Sequence, residues 1–246
     1  MTTHNVSDGP VQFTEAGGEV IGGHLATPEG NGPFPGIVVI QEVWGVSEFI
    51  KETTRRFAAQ GYLAIAPDLY SRLDNPDVST IALARKAVGV LSDAQVVQDL
   101  QGAADHLRNL PSFGGRIGVI GFCAGGRYTT IFAARGTDID AAITCYGPIM
   151  PNDISGPELR PVPPIGMAAY VQCPLLGLYG EHDTIAPPED VIMYDAALTE
   201  HGKFHKFHVY PDTGHAFMDI GNPSYSPEHA PDAWAKASAW FEEYLK

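Results

Sequence analysis

Residues 116–130 read RIGVIGFCAGGRYTT. The first part is short, apolar and β-branched, the composition of a strand buried on both faces. The last part has the residues of a helix. Between them, Gly121-Phe122-Cys123-Ala124-Gly125 has the spacing of a strand-to-helix elbow, with cysteine where serine is usual. The glycines have a steric cause. In so tight a turn the residues two before and two after the central one lie against each other, and side chains there would collide. The turn lifts its central residue above the sheet edge. At that helix N-terminus the dipole and free N–H groups favour a thiolate or an oxyanion. Taken alone, Cys123 reads equally well as a small buried residue between glycines, because free cysteine is commonly buried.

The strand–helix alternation repeats on either side. IVVIQ (37–41) and YLAIAP (62–67) precede the elbow, and AAITCY (141–146), PLLGLYG (174–180) and KFHVYP (206–211) follow it. Each is a strand by its apolar run. Ser47 is placed to cap a helix with Ile50, Thr53, Phe57 and Ala58 on one side, ended by Gly61. Residues 92–109 carry a Ser92/Gln95 capping box and an apolar face at 96, 100, 103, 104 and 107. Further helices are expected at 124–135, 188–201 and 230–245. Ahead of all this, VQFTEA and EVIGGHLATP meet at Gly17-Gly18 and predict a hairpin. The pattern predicts an α/β fold: a mostly parallel sheet with helices on both faces and an antiparallel N-terminal edge. No linker or repeat divides it, so residues 1–246 are expected to form one domain.

Composition narrows the function. With 29 acidic against 15 basic residues the formal charge is -14, which repels a polyanion such as DNA. Three cysteines, Cys123, Cys145 and Cys173, cannot all pair and lack metal-like spacing, which points to a reducing cytoplasm. MTTHNVSDGP has no cationic start or apolar run, and no apolar stretch reaches membrane-spanning length. His205 and His208 suggest a metal pair, but their odd spacing on a strand puts them on opposite faces. There is no phosphate loop or dinucleotide fingerprint, so no cofactor and no metal are expected.

Two further residues join Cys123. Asp183 follows the strand 174–180, and His215 follows the strand 206–211. In open α/β sheets ligands bind at the carboxyl ends of the strands, where all three residues fall. Either residue alone is an ordinary loop side chain. Together, in the order Cys, Asp, His, they form a hydrolase constellation. Glu42 is unusual as well, an acid directly after IVVIQ. Trp44 and Tyr146, near strand ends, read as pocket-lining or as packing residues.

On these residues the chain resembles the dienelactone hydrolases (carboxymethylenebutenolidases), an α/β-hydrolase family with a cysteine nucleophile. The resemblance spans nearly the whole chain, through IVVIQEVWGV, APDLY, SDAQVVQDL, GVIGFCAGG, YGEHD and DTGHAF. It implies Cys123 as nucleophile, His215 as base and then acid, and Asp183 as the group that fixes the imidazole. It also implies an oxyanion hole from the N–H groups of Val43 and Ala124. Glu42 matches a buried glutamate that hydrogen-bonds the resting cysteine and shifts when substrate arrives. The expected activity is hydrolysis of a small ester or lactone through a cysteine-bound acyl group, in a monomer or small homo-oligomer. A short-chain carboxylesterase with no carboxylate requirement and a non-catalytic small-ligand-binding protein of the same fold are the alternatives.

Two positions depart from the family. Members acting on dienelactone hold its carboxylate with arginines, one lying four residues after the histidine, and that position is Asp219. The residue after the histidine, often serine, is Ala216. Arg72 or Arg85 is left to supply the other arginine. An aspartate facing the pocket predicts a preference for uncharged esters or lactones.

Overall fold

The computed structural model describes residues 3–151 and 154–246. The chain opens with the expected hairpin, β1 (Val6–Thr14) and β2 (Val20–Pro28), antiparallel and turned through Gly18 at φ +99°. Next come β3 (Phe34–Ile40), α1 (Glu48–Ala59), β4 (Leu63–Pro67), α2 (Ile81–Gly89) and α3 (Asp93–Arg108). The elbow strand β5 (Phe113–Phe122) leads into α4 (Ala124–Arg135), then β6 (Ala141–Cys145) and a 3-10 helix, Pro164–Tyr170. The last elements are β7 (Leu175–Gly180), α5 (Pro188–Glu200), β8 (His205–Tyr210) and α6 (Ala230–Leu245).

The strands form one sheet in the order β1-β2-β4-β3-β5-β6-β7-β8. β2 joins β4 antiparallel, and every pairing from β4 to β8 is parallel. Alternation along β3 shows why its apolar run is continuous. Val38 and Ile40 pack into the core beneath α3, α4 and α5, while Ile37 and Val39 pack beneath α1 and α6. Each fully buried side chain of this kind contributes roughly 1.5–3 kcal/mol relative to exposure.

Local signals were only partly realised. Ser47 is the N-cap residue of α1, but its hydroxyl makes no cap bond and has no hydrogen-bond partner among the described residues. Ser92 does accept the Gln95 N–H at 3.2 Å, whereas the Gln95 side chain turns to Asp99, leaving the box half-formed. Helix α2 and the 3-10 helix were not expected. In α2 only Ala84, Ala87 and Val88 are buried, too small a stripe to announce a helix.

The topology places the site. From β3 the chain runs first to β4 on one side and later to β5 on the other. Where the winding reverses, the loops after β3 and β5 part at their carboxyl ends and leave a crevice.

Candidate active site

The elbow has the predicted geometry. Cys123 sits at φ +52°, ψ -115°, in a region most side chains avoid. A Cβ on Gly121 would lie 2.1 Å from the Gly125 carbonyl oxygen, and one on Gly125 would lie 2.4 Å from that of Ile40. The Cys123 N–H donates to the Cys145 carbonyl at 3.0 Å, tying the turn to the next strand. Cys123 is half-buried, while Cys145 and Cys173 are buried. Burial pushes the Cys145 thiol well up and that of Cys173 up to about 12. Neither is poised as a nucleophile.

Asp183 is buried after β7. Its Oδ1 accepts N–H bonds from Ile185 (2.8 Å) and Ala186 (3.0 Å), and its Oδ2 accepts the His215 Nδ1–H at 2.8 Å. The two loops are clipped together, since the His182 N–H donates to the Thr213 carbonyl. Gly180 permits this approach, as a Cβ there would lie 2.3 Å from the Thr213 oxygen. The second ring nitrogen of His215, Nε2, is shielded from solvent and has no hydrogen-bond partner of good geometry among the described residues. Burial alone would lower the imidazole pKa. Asp183 and the neighbouring Cys123 overcome that and raise it to about 10.

The loop after β3 supplies the facing wall. The Gln41 Oε1 accepts the Leu69 N–H at 3.1 Å, and the Tyr70 hydroxyl donates to the Val43 carbonyl at 2.9 Å. Glu42 is 3% exposed. Burial first, and then the charge of Asp219, push its carboxyl up to about 7, against the pull of His215.

These groups share a cavity of about 180 Å³, lined by Glu42, Val43, Trp44, Cys123, Ala124 and His215 among others. Pockets for drug-sized ligands run to about 300–1,000 Å³, so this one suits a small molecule. Elsewhere, Glu181, His182 and Asp212 bring donor atoms within 4.8 Å of one another, but all three are exposed and none lines the cavity. Among the described residues no helix is long and apolar enough to cross a membrane.

The dienelactone hydrolase family model matches residues 21–245. The chain belongs to the dienelactone hydrolase family. It is 39% identical over 230 residues to a Methylorubrum extorquens protein provisionally named carboxymethylenebutenolidase, covering 92% of this chain and 77% of the relative. An Escherichia coli K12 protein with the same provisional name is 37% identical over 229 residues, covering 90% and 81%. A crystal structure of a provisionally assigned dienelactone hydrolase from Klebsiella pneumoniae superposes with a TM-score of 0.90 at 33% identity, covering 98% and 100%. The chain is thus a dienelactone hydrolase-like hydrolase with the α/β-hydrolase fold.

Trp44 and Arg85 line the cavity. Tyr146 does not. It is fully buried, with φ +42°, and packs edge-on against the His215 ring with centroids 5.2 Å apart. Its substrate-binding reading gives way to one of support behind the imidazole, because the turn after β6 points it into the core. Arg72 is also remote from the cavity lining, paired with Glu19 and with Asp99 (2.9 Å). Asp219 lines a neighbouring groove, where its Oδ1 accepts the Gly221 N–H at 2.8 Å. The premise of an aspartate facing the pocket is therefore not met. Sequence reasoning missed Arg127, Tyr128 and Arg160, which line the cavity. Arg127 had a signal, a charge one turn past the elbow. Arg160, in a proline-rich stretch, had none.

Proposed function

We propose that the chain hydrolyses a small ester or lactone through a thioester on Cys123. His215 carries the proton, Asp183 orients it, and the Val43 and Ala124 N–H groups receive the oxyanion. One observation carries this reading. An elbow cysteine shares a cavity with an imidazole whose Nδ1 is held by a buried carboxylate and whose Nε2 has no hydrogen-bond partner of good geometry among the described residues.

With Nδ1–H committed to Asp183, Nε2 is the nitrogen left to take the thiol proton. The sulfur attacks the carbonyl carbon, and the carbonyl π pair moves to oxygen. Ala124 is the first residue of α4, so its N–H has no acceptor within the helix and can donate to that oxygen. Collapse breaks the C–O bond, and the leaving alkoxide takes the proton from Nε2. Beside Asp183 and Cys123 the imidazole pKa is raised to about 10, which favours transfer of the thiol proton to His215. Water then attacks the thioester, His215 accepting its proton, and release of the acid restores the thiol. Glu42, on the same cavity wall, is half-protonated near neutral pH and serves to restrain the resting thiol.

Rapid quenching during turnover of p-nitrophenyl acetate, followed by peptide mass spectrometry, tests the scheme. The expected result is an acyl group on the Cys123 peptide and none in Cys123→Ala. Normal turnover by that variant would sink the reading.

A further inference from the structure

Helix α2 meets the cavity along one stripe. Ile81, Arg85 and Val88, spaced i, i+4 and i+7, all line it. Thr80 fixes the start of that stripe, its Oγ1 accepting the Leu83 N–H at 3.3 Å. A second element, the loop after β7, brings Ile185 to the same lining. The Ile185 N–H donates to Asp183 Oδ1 at 2.8 Å, and Oδ2 of that carboxylate holds His215. Both isoleucines are left uncovered, Ile81 55% exposed and Ile185 47%. The other exposed large apolar side chains among the described residues, such as Ile192 of α5, lie outside this lining.

A single exposed apolar residue is ordinary on a protein surface. Two isoleucines from separate elements, both on the lining of the reactive cavity, are better placed to meet a ligand. A hydrocarbon group lying over them would take apolar surface out of water on both sides of the contact. Such a group extends outward from a space of only about 180 Å³. The proton path says which arm of an ester it belongs to. The leaving alkoxide takes its proton from His215 Nε2, so the alcohol arm lies on the imidazole side. Ile185 is pinned to the carboxylate that holds that imidazole. We propose that Ile81 and Ile185 form an apolar subsite for the alcohol arm of the substrate. The preferred substrates are esters of medium-length alkyl alcohols, or lactones with such a chain on the ring carbon bonded to oxygen. The proposal rests on the hydrolase reading above.

The test compares kcat/KM for hexyl acetate with that for ethyl acetate, followed by acid release in a pH-stat. A fully buried methylene is worth about fourfold. The longer chain, partly covered at an open mouth, should gain at least about tenfold in wild type. Ile81→Ser and Ile185→Ser should each lower the hexyl-to-ethyl ratio at least about threefold. The second keeps the backbone N–H that bonds Asp183, so the triad is left in place. Ile185→Leu should hold the ratio within about twofold, since it keeps the apolar bulk. Ile192→Ser, the same change away from the cavity, should do so too. Because each variant supplies its own denominator, a reduced folded fraction cancels. A second measurement needs no turnover: protection of Cys123 from iodoacetamide by 1-hexanol against ethanol. Hexanol should protect at lower concentration in wild type and lose that advantage in Ile81→Ser and Ile185→Ser. If both ratios in these two variants match those of Ile192→Ser, the proposal is overturned and hydrolysis still stands. If wild type hydrolyses neither ester while hexanol protection depends on Ile81 and Ile185, the hydrolase reading falls and the apolar subsite stands.

Discussion

Two concavities flank the loop that follows His215. Ala216 and Asn222 line the cavity with Cys123, while Met218, Asp219, Ile220 and Gly221 line a groove against α1 and α6. The groove is much the larger, about 930 Å³ against about 180 Å³. Its polar groups are largely met: Arg56 lies 4.3 Å over the Trp234 ring, and Glu48 pairs with Arg55. Of the two, the cavity is the one whose lining holds unsatisfied groups. Cys123 and Ala216 have positive φ, and His215 Nε2 and Arg160 Nε lack hydrogen-bond partners among the described residues. Size therefore says little about where chemistry occurs. Unmet bonding capacity and a backbone held in sparsely populated conformations say more.

The largest test of that contrast sets Cys123→Ala against Ile220→Ser. The first should lower kcat by about 10⁴-fold or more, as loss of a nucleophile does. The second, at a groove residue 79% exposed, should stay within about twofold. Comparable losses in both would break the distinction. Asp183→Asn comes next. An amide there no longer selects the Nδ1–H tautomer, so kcat should fall by about 10³–10⁴-fold while the fold persists. Retained activity would show that the imidazole is oriented by something else, such as Tyr146.

Glu42 sharpens the comparison through stability. Its carboxyl titrates near 7 in the folded chain against 4.5 for an ordinary one, so the folded state binds more protons between those values. Stability then falls as pH rises through that window, by about 3 kcal/mol in all. Glu42→Gln should be more stable than wild type at pH 8, and the gap should close by pH 4. Denaturation midpoints at the two pH values measure it, and a gap independent of pH would rule out the carboxyl as its cause. The smallest effect crosses between the two concavities. Asp219 raises the Glu42 pKa, so Asp219→Asn should shift the Glu42-dependent step in Cys123 alkylation to lower pH. An unmoved profile would mean that groove and cavity are electrostatically independent.

Much of this site was legible because its signals are short-range. The elbow glycines follow from a clash within five residues, and the runs of β3, β5 and β7 declare strands buried on both faces. Asp183 could be placed because it follows such a strand, and His215 because it follows the edge strand β8. Glu42 was visible as an acid directly after a buried run. Where a side chain's role depended on its direction, the reading was weaker. Tyr146 looked like a pocket residue by position, but a left-handed backbone turns it behind His215. Ser47 occupies a cap position without capping.

What the sequence by itself determined is the framework: the alternation of strands and helices, the elbow, and the order of Cys123, Asp183 and His215. Period-two burial and turn sterics act within a few residues, so they can be read without knowing what lies nearby. Only the tertiary structure decided which charges face the cavity. Arg72 is taken up by Glu19 and Asp99, Asp219 turns to the neighbouring groove, and Arg160 arrives from a loop with no periodic pattern. The Coulomb and hydrogen-bond partners of a long side chain are set by packing between distant segments, and no local rule encodes them.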